Sequence, residues 1–220
     1  MRTLGLAAAL ILLLSGCMTI HGYAVRESRS AETRRVGEIL DPLLVALDMP
    51  SLRTIAASRG CKIGFAIVRT SRVNVWSSPG TRAPCLYFSL FLTEGALAAP
   101  DDELTAMIAH ELGHLMLRHT PQPARGLAVS DAAWGDIQRQ ELEADRFAVA
   151  VLKQLRASSG VGSCEAVGRF LRRGVADWYG DGISARMEAA VNERAESADA
   201  ACASAEAAPF VRVTPVSLAP

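Results

Sequence analysis

The sequence predicts an α+β fold, mostly helical, with a small three-stranded sheet placed ahead of the helix that carries its chemistry. Three observations lead there. A helical apolar stripe precedes residue 50, β-forming runs cluster between residues 62 and 92, and a helical pattern runs almost unbroken after Pro100. The chain has 220 residues, with 23 basic and 23 acidic side chains. That length fits one domain, at most two small ones, and buries a real core. Balanced charge without a basic block argues against a nucleic-acid face, and a chain that is 50% hydrophobic is not a disordered one. No apolar run reaches the roughly 18 residues of a membrane-spanning helix.

The N-terminus reads as an export leader. Arg2 precedes the apolar run Leu4–Leu14, and small residues follow. Leu14-Ser15-Gly16-Cys17 matches a bacterial lipobox, which implies cleavage after residue 16 and lipidation of Cys17. Acyl chains at about 0.8 kcal/mol per buried CH₂ hold a domain on a bilayer without a spanning helix. Met18, where inner-membrane lipoproteins carry Asp, suggests the outer membrane, facing the periplasm. Residues 17–29 are polar and read as a tether.

The folded domain is expected over residues 30–202. Val36, Ile39, Leu40, Leu43, Leu44 and Leu47 form the first helical stripe, which Pro42 should kink or restart. Pro50 announces a further short helix. Lys62–Val68, Val73–Trp76 and Leu86–Leu92 are the three strand candidates, with a turn at Ser77–Gly80. Asp101 and Asp102 form a cap at the positive end of the next helix. Ala133–Ala157, Cys164–Ala176 and Ile183–Ala200 are further helices, and residues 203–220, rich in Ala and Pro, form a loose tail. With Cys17 lipidated, four cysteines remain in an exported chain, and four cysteines allow three connectivities. Local pairing, Cys61–Cys85 and Cys164–Cys202, is preferred; each bridge would contribute about 3 kcal/mol. Four buried free thiols are the alternative.

His110-Glu111-Leu112-Gly113-His114 carries the chemistry. Residues four apart on a helix share a face, so both imidazoles can reach one metal ion, and Glu111 can reach a water beside it. A catalytic zinc needs a third protein ligand. His119 is one residue out of step for the metzincin arrangement, so the ligand has to come from downstream. Glu141 and Asp145 share a helical face there, whereas Glu143 points elsewhere.

The blocks Ile108–His119 and Glu141-Leu-Glu-Ala-Asp145-Arg-Phe-Ala148 resemble the HtpX and CAAX-prenyl-protease type of zinc metalloendopeptidase, a gluzincin family. Leu92–Leu97 resembles the stretch that joins the family's edge strand to its active-site helix. The resemblance implies a zincin-like domain in which His110, His114 and Glu141 bind one Zn²⁺ per chain. It implies Glu111 as general base toward the attacking water, and Asp145 as the group fixing a ligand histidine. The strand around Leu86, Phe88 and Leu90 would be an edge that pairs with extended substrate. The family's His-Pro is absent, and Trp178-Tyr179-Gly180-Asp181 stands in its place. Tyr179 could then donate to the oxyanion, and Arg186 could match the family's arginine and pair with Asp145.

The expectation is a lipid-anchored zinc endopeptidase of the bacterial envelope, acting on misfolded or unassembled polypeptides. Its partners would be those polypeptides and, through Cys17, the membrane, with no nucleic acid. Two alternatives stand beside it: a zinc-stabilised lipoprotein that binds envelope proteins without cutting them, and a small-molecule metallohydrolase.

Overall fold

The stripe that begins at Val36 forms α1 (Ser30–Ala46), which buries Val36, Leu40, Leu43 and Leu44. The helix continues through Pro42 without restarting. Proline removes one helical hydrogen bond, but the fully buried leucines on both sides of it hold the two halves in register. Gln154 donates to the Ala46 carbonyl at the helix end at 3.1 Å. The computed structural model describes residues 19–20, 23–57, 62–79, 86–119, 131–160, 162–179 and 185–204. Cys17, Cys61 and Cys85 lie outside these residues.

The sheet has more strands than expected. The stretch taken for a tether supplies β1 (Thr19–Ile20) and β2 (Tyr23–Glu27). Then come α2 (Leu52–Ala57), β3 (Lys62–Val68), β4 (Val75–Pro79) and β5 (Leu86–Thr93). Four strands form a mixed sheet in the order β2-β3-β5-β4, and the two-residue β1 folds back on β2. β2 runs antiparallel to β3 with Val25 opposite Val68. β3 and β5 are parallel, with Phe65 opposite Leu90, and β4 is antiparallel to β5, with Ser77 opposite Leu90.

This order corrects the expected substrate edge. β5, with Leu86, Phe88 and Leu90, lies between β3 and β4, and Phe88 and Leu90 are core side chains. The edge is β4. Its short, polar, proline-terminated sequence suits an edge, whereas the continuous apolar run of β5 suits a strand flanked on both sides. Thr93, fully buried, ties the two together. Its hydroxyl accepts from the Asn74 N–H, donates to the Asn74 carbonyl, and caps α3 (Glu94–Ala98) by accepting from the Ala96 N–H.

Four helices complete the domain: α4 (Asp101–Met116), α5 (Asp131–Ser159), α6 (Glu165–Tyr179) and α7 (Ala185–Ala203). Pro100, rather than an aspartate, occupies the N-cap of α4; Asp101, Asp102 and Glu103 fill its first turn, where they favour the positive end of the dipole. α4 is buried along most of its length and packs on β4, α1, α5 and α6. α5 comes close because of Gly113: a Cβ there would sit 3.1 Å from the Cα of Ala144. α5 and α7 run side by side in the same direction, as three contacts in succession show. Arg186 lies over the Trp134 ring, Arg194 meets Glu141 and Asp145, and Lys153 donates to the Ala201 and Ser204 carbonyls. A Cys164–Cys202 disulfide joins the start of α6 to the end of α7, one of the two expected bridges.

Candidate metal centre

His110 and His114 project from successive turns of α4, as their four-residue spacing requires. Their Nε2 atoms are 3.0 Å apart. Glu141, on α5, brings Oε2 to 3.5 Å from His110 Nε2 and Oε1 to 3.5 Å from His114 Nε2. Three donors at metal–ligand distances of 2.0–2.1 Å around a tetrahedral ion would lie about 3.4 Å from one another. The triangle therefore has the dimensions of a cation's ligand set. Two neutral imidazoles and a carboxylate are the donors that zinc takes at catalytic sites.

The orienting groups point the same way. Asp145 is 1% exposed and accepts from His110 Nδ1 at 2.8 Å. Burial would push the Asp145 carboxyl up, but Arg194 and His110 outweigh it and hold it below its ordinary range. An ionised carboxylate only accepts, so Nδ1 of His110 carries a proton, and in the neutral ring the Nε2 lone pair faces the cluster. Arg194 donates to both Asp145 oxygens, at 2.7 and 3.1 Å, and lies 2.8 Å from Glu141 Oε2. Glu141 is likewise held below its ordinary range, Arg194 and the histidines overcoming the effect of burial. Phe170 of α6 packs edge-on against the His110 ring at 5.9 Å.

The convergence has a cost when no cation shares it. Two Nε2 lone pairs and a carboxylate meet in a small space, and only one proton fits between the rings. Burial pulls His110 down, yet Asp145 and Glu141 outweigh it and carry it to about 10. Burial and the charge on His110 press His114 to about 3. This cluster attracts positive charge.

Glu111 faces β4. Its Oε2 accepts from the Ser77 N–H at 2.8 Å, and the Ser77 hydroxyl donates to the Glu111 carbonyl at 3.3 Å. Burial pushes the Glu111 carboxyl up to about 7, against the pull of His110 and Ser77. An acid poised there suits proton transfer near neutral pH. Val75 and Ser77 both turn their N–H groups away from β5, Val75's going to the Asn74 side chain at 2.9 Å.

The structure thus brings together five of the expected residues: His110, Glu111, His114, Glu141 and Asp145. Arg186 is not among them. It lies 5.2 Å from the Trp134 ring centroid, and Arg194, two turns further along α7, is the partner of Asp145. Tyr179 is the last residue of α6, and its side chain lies outside the described residues. Ser77, Phe170 and Arg194 were not anticipated. Ser77 stands in a stretch read as a turn, and the other two reach the site from separate helices, which no local spacing reveals. Scans against protein-family models, curated proteins and solved structures find no match to this chain.

Proposed function

We propose that the protein is a zinc-dependent endopeptidase, held by lipid on Cys17 at the periplasmic face of a bacterial outer membrane. The observation that carries the reading is the His110–His114–Glu141 donor triangle with a proton-accepting Glu111 beside it, fastened to an edge strand. His110, His114 and Glu141 would hold the ion. Zinc, when bound, would supply Lewis-acid polarisation of the scissile carbonyl and make water a nucleophile near neutral pH. Glu111 takes a proton from the attacking water and passes it to the leaving amine nitrogen. Burial keeps its carboxyl basic enough for the first transfer, and a cation nearby holds it acidic enough for the second.

β4 suggests a polypeptide substrate. An extended peptide laid along its outer side would donate to the outward carbonyls of Val75 and Ser77, whose N–H groups are already engaged, and bring a peptide bond against Glu111. Main-chain pairing reads no side chains, which suits unfolded or unassembled proteins. The envelope location rests on the Leu14–Cys17 motif and fits the Cys164–Cys202 bridge, since disulfides persist in oxidising compartments.

The test is zinc content and casein cleavage, measured on wild type and Glu111→Gln side by side. Wild type should carry about one zinc per chain, as a single three-ligand site requires. Glu111→Gln should retain that zinc and lose cleavage by at least about a hundredfold. Equal cleavage by both would reject the mechanism, and zinc-free wild type would reject the site.

A further inference from the structure

The second ligand histidine has an orienting chain of its own. His114 Nδ1 lies 2.9 Å from His119 Nδ1, and His119 Nε2 lies 3.1 Å from Glu143 Oε2. The His119 side chain is only 6% exposed, while Glu143 reaches solvent. Asp145 serves His110; His119 and Glu143 stand behind His114.

The backbone shows how His119 gets there. α4 ends in a Schellman turn. Arg118 donates its N–H to the Leu115 carbonyl at 3.3 Å, and His119 donates to the His114 carbonyl at 3.0 Å. That turn needs a left-handed residue, and Arg118 supplies it with φ 56°. Glycine is the usual residue there, because a side chain is sterically disfavoured. The same turn after α1 uses Asp48, φ 54°, a residue type that tolerates this region better. In a continued helix His119 would point round to another side of α4. The turn folds it back, ring against ring, with the His114 and His119 centroids 5.0 Å apart.

We infer that His119, backed by Glu143, is a positioning residue that fixes the proton of His114 on Nδ1 and so leaves Nε2 free for a metal. The proton order follows from the chain. Glu143 as a carboxylate accepts from His119 Nε2–H. A neutral His119 protonated at Nε2 has its lone pair on Nδ1, where it accepts from His114 Nδ1–H. The lone pair of His114 is then on Nε2, facing His110 and Glu141. The reverse order would put the proton of His114 on Nε2, inside the donor triangle, and block it. The two ligand histidines thus receive their tautomers from separate groups, one from Asp145 and one from this pair.

The inference rests on the metal-site reading, and the experiment keeps the two apart. Zinc affinity of the full chain is measured by competition with a chromophoric chelator for wild type, His119→Ala, His119→Asn and Glu143→Gln. Unfolding midpoints of the metal-free proteins are recorded in parallel. Wild type without zinc overturns the metal site itself. With wild type loaded, His119→Ala should bind zinc ten- to a hundredfold more weakly, the effect expected for losing a group that orients a ligand. His119→Asn should recover most of that loss, because its Oδ1 stands near the position of Nδ1 and accepts the same proton. Glu143→Gln should show a smaller loss, with the metal-free midpoint unchanged. ¹⁵N spectra of the zinc-loaded wild type should show His114 protonated at Nδ1 and His119 at Nε2. A proton on His119 Nδ1, or wild-type affinity in a folded His119→Ala, overturns the inference. The spectrum decides the matter even where the alanine variant does not fold.

Discussion

Arg194 shows how one side chain sustains the site. Asp145 and Glu141 are two carboxylates within one helical turn, nearly out of water, and Arg194 is the cation that spans both. Removing one partner of a buried ion pair leaves a charge uncompensated, which costs about 3–5 kcal/mol. Arg194→Met should therefore destabilise the metal-free protein by about that amount in urea unfolding. Arg186→Met should cost only about 0.5–1 kcal/mol, the worth of an exposed cation–π contact. Equal losses in the two variants would contradict this division of labour. The two arginines also mark where sequence reading stops. His110, Glu111 and His114 were legible because a helix fixes their geometry within five residues, and Glu141 with Asp145 for the same reason. Which arginine of α7 meets Asp145 depends on how α7 is set along α5. Arg186 and Arg194 are eight residues, or about 12 Å, apart on that helix. Local periodicity carries no information about such a shift between helices.

Elements were easier to foresee than their arrangement. β3 and β5 announce themselves by composition, and the helices after Pro100 by their stripes. Strand order depends on pairings between residues far apart in the chain. β2 was hidden because Tyr23–Glu27 alternates too briefly to stand out among polar residues. What holds β2 down is a junction of charges. Arg26 makes two 2.8 Å hydrogen bonds to the Glu32 carboxylate and a 3.3 Å one to Glu94, which links the strand to α1 and α3. Glu32 also caps α1 by accepting from the Arg29 N–H at 2.7 Å. The Arg26 bond, outweighing desolvation and helped by the Arg29 N–H, lowers Glu32 from its ordinary 4.5 to about 2. A carboxyl depressed in the folded state contributes stability above its unfolded pKa and loses it as pH falls toward the folded one. The window is therefore pH 4.5 down to 2. Glu32→Gln should cost about 1 kcal/mol at pH 7, since the pair is partly exposed and screened. More than half of that difference should be gone by pH 3. Urea midpoints of both proteins at the two pH values measure it, and a pH-independent gap would show that the cap bond rather than the charge holds the strand.

At the scale of the whole molecule, the site is assembled from parts far apart in the chain: α4 brings two donors, α5 the third, α7 the arginine and β4 the amide that holds Glu111. The last helix, for its length, is weakly secured by burial. α7 contributes only Ala195 and Ala198 to the fully buried set, small side chains that remove little apolar surface from water. Its far end is fixed instead by covalent and polar ties: Cys202 in the bridge to Cys164, and Lys153 donating to its last carbonyls. The bridge spans a sequence separation of 38, which by loop-closure entropy contributes about 3–4 kcal/mol. Replacing both Cys164 and Cys202 with alanine should remove that amount. For a domain of this size the melting temperature should fall by roughly 10 °C. Zinc affinity measured well below the melting temperature should change little. Arg194 stands two turns from Cys202, and its bonds to Asp145 and Glu141 set its register independently. Stability and affinity thus separate if the disulfide acts on the unfolded chain. A parallel fall in affinity would mean instead that the bridge aligns α7 along α5, making the covalent tie part of the geometry that closes the donor triangle.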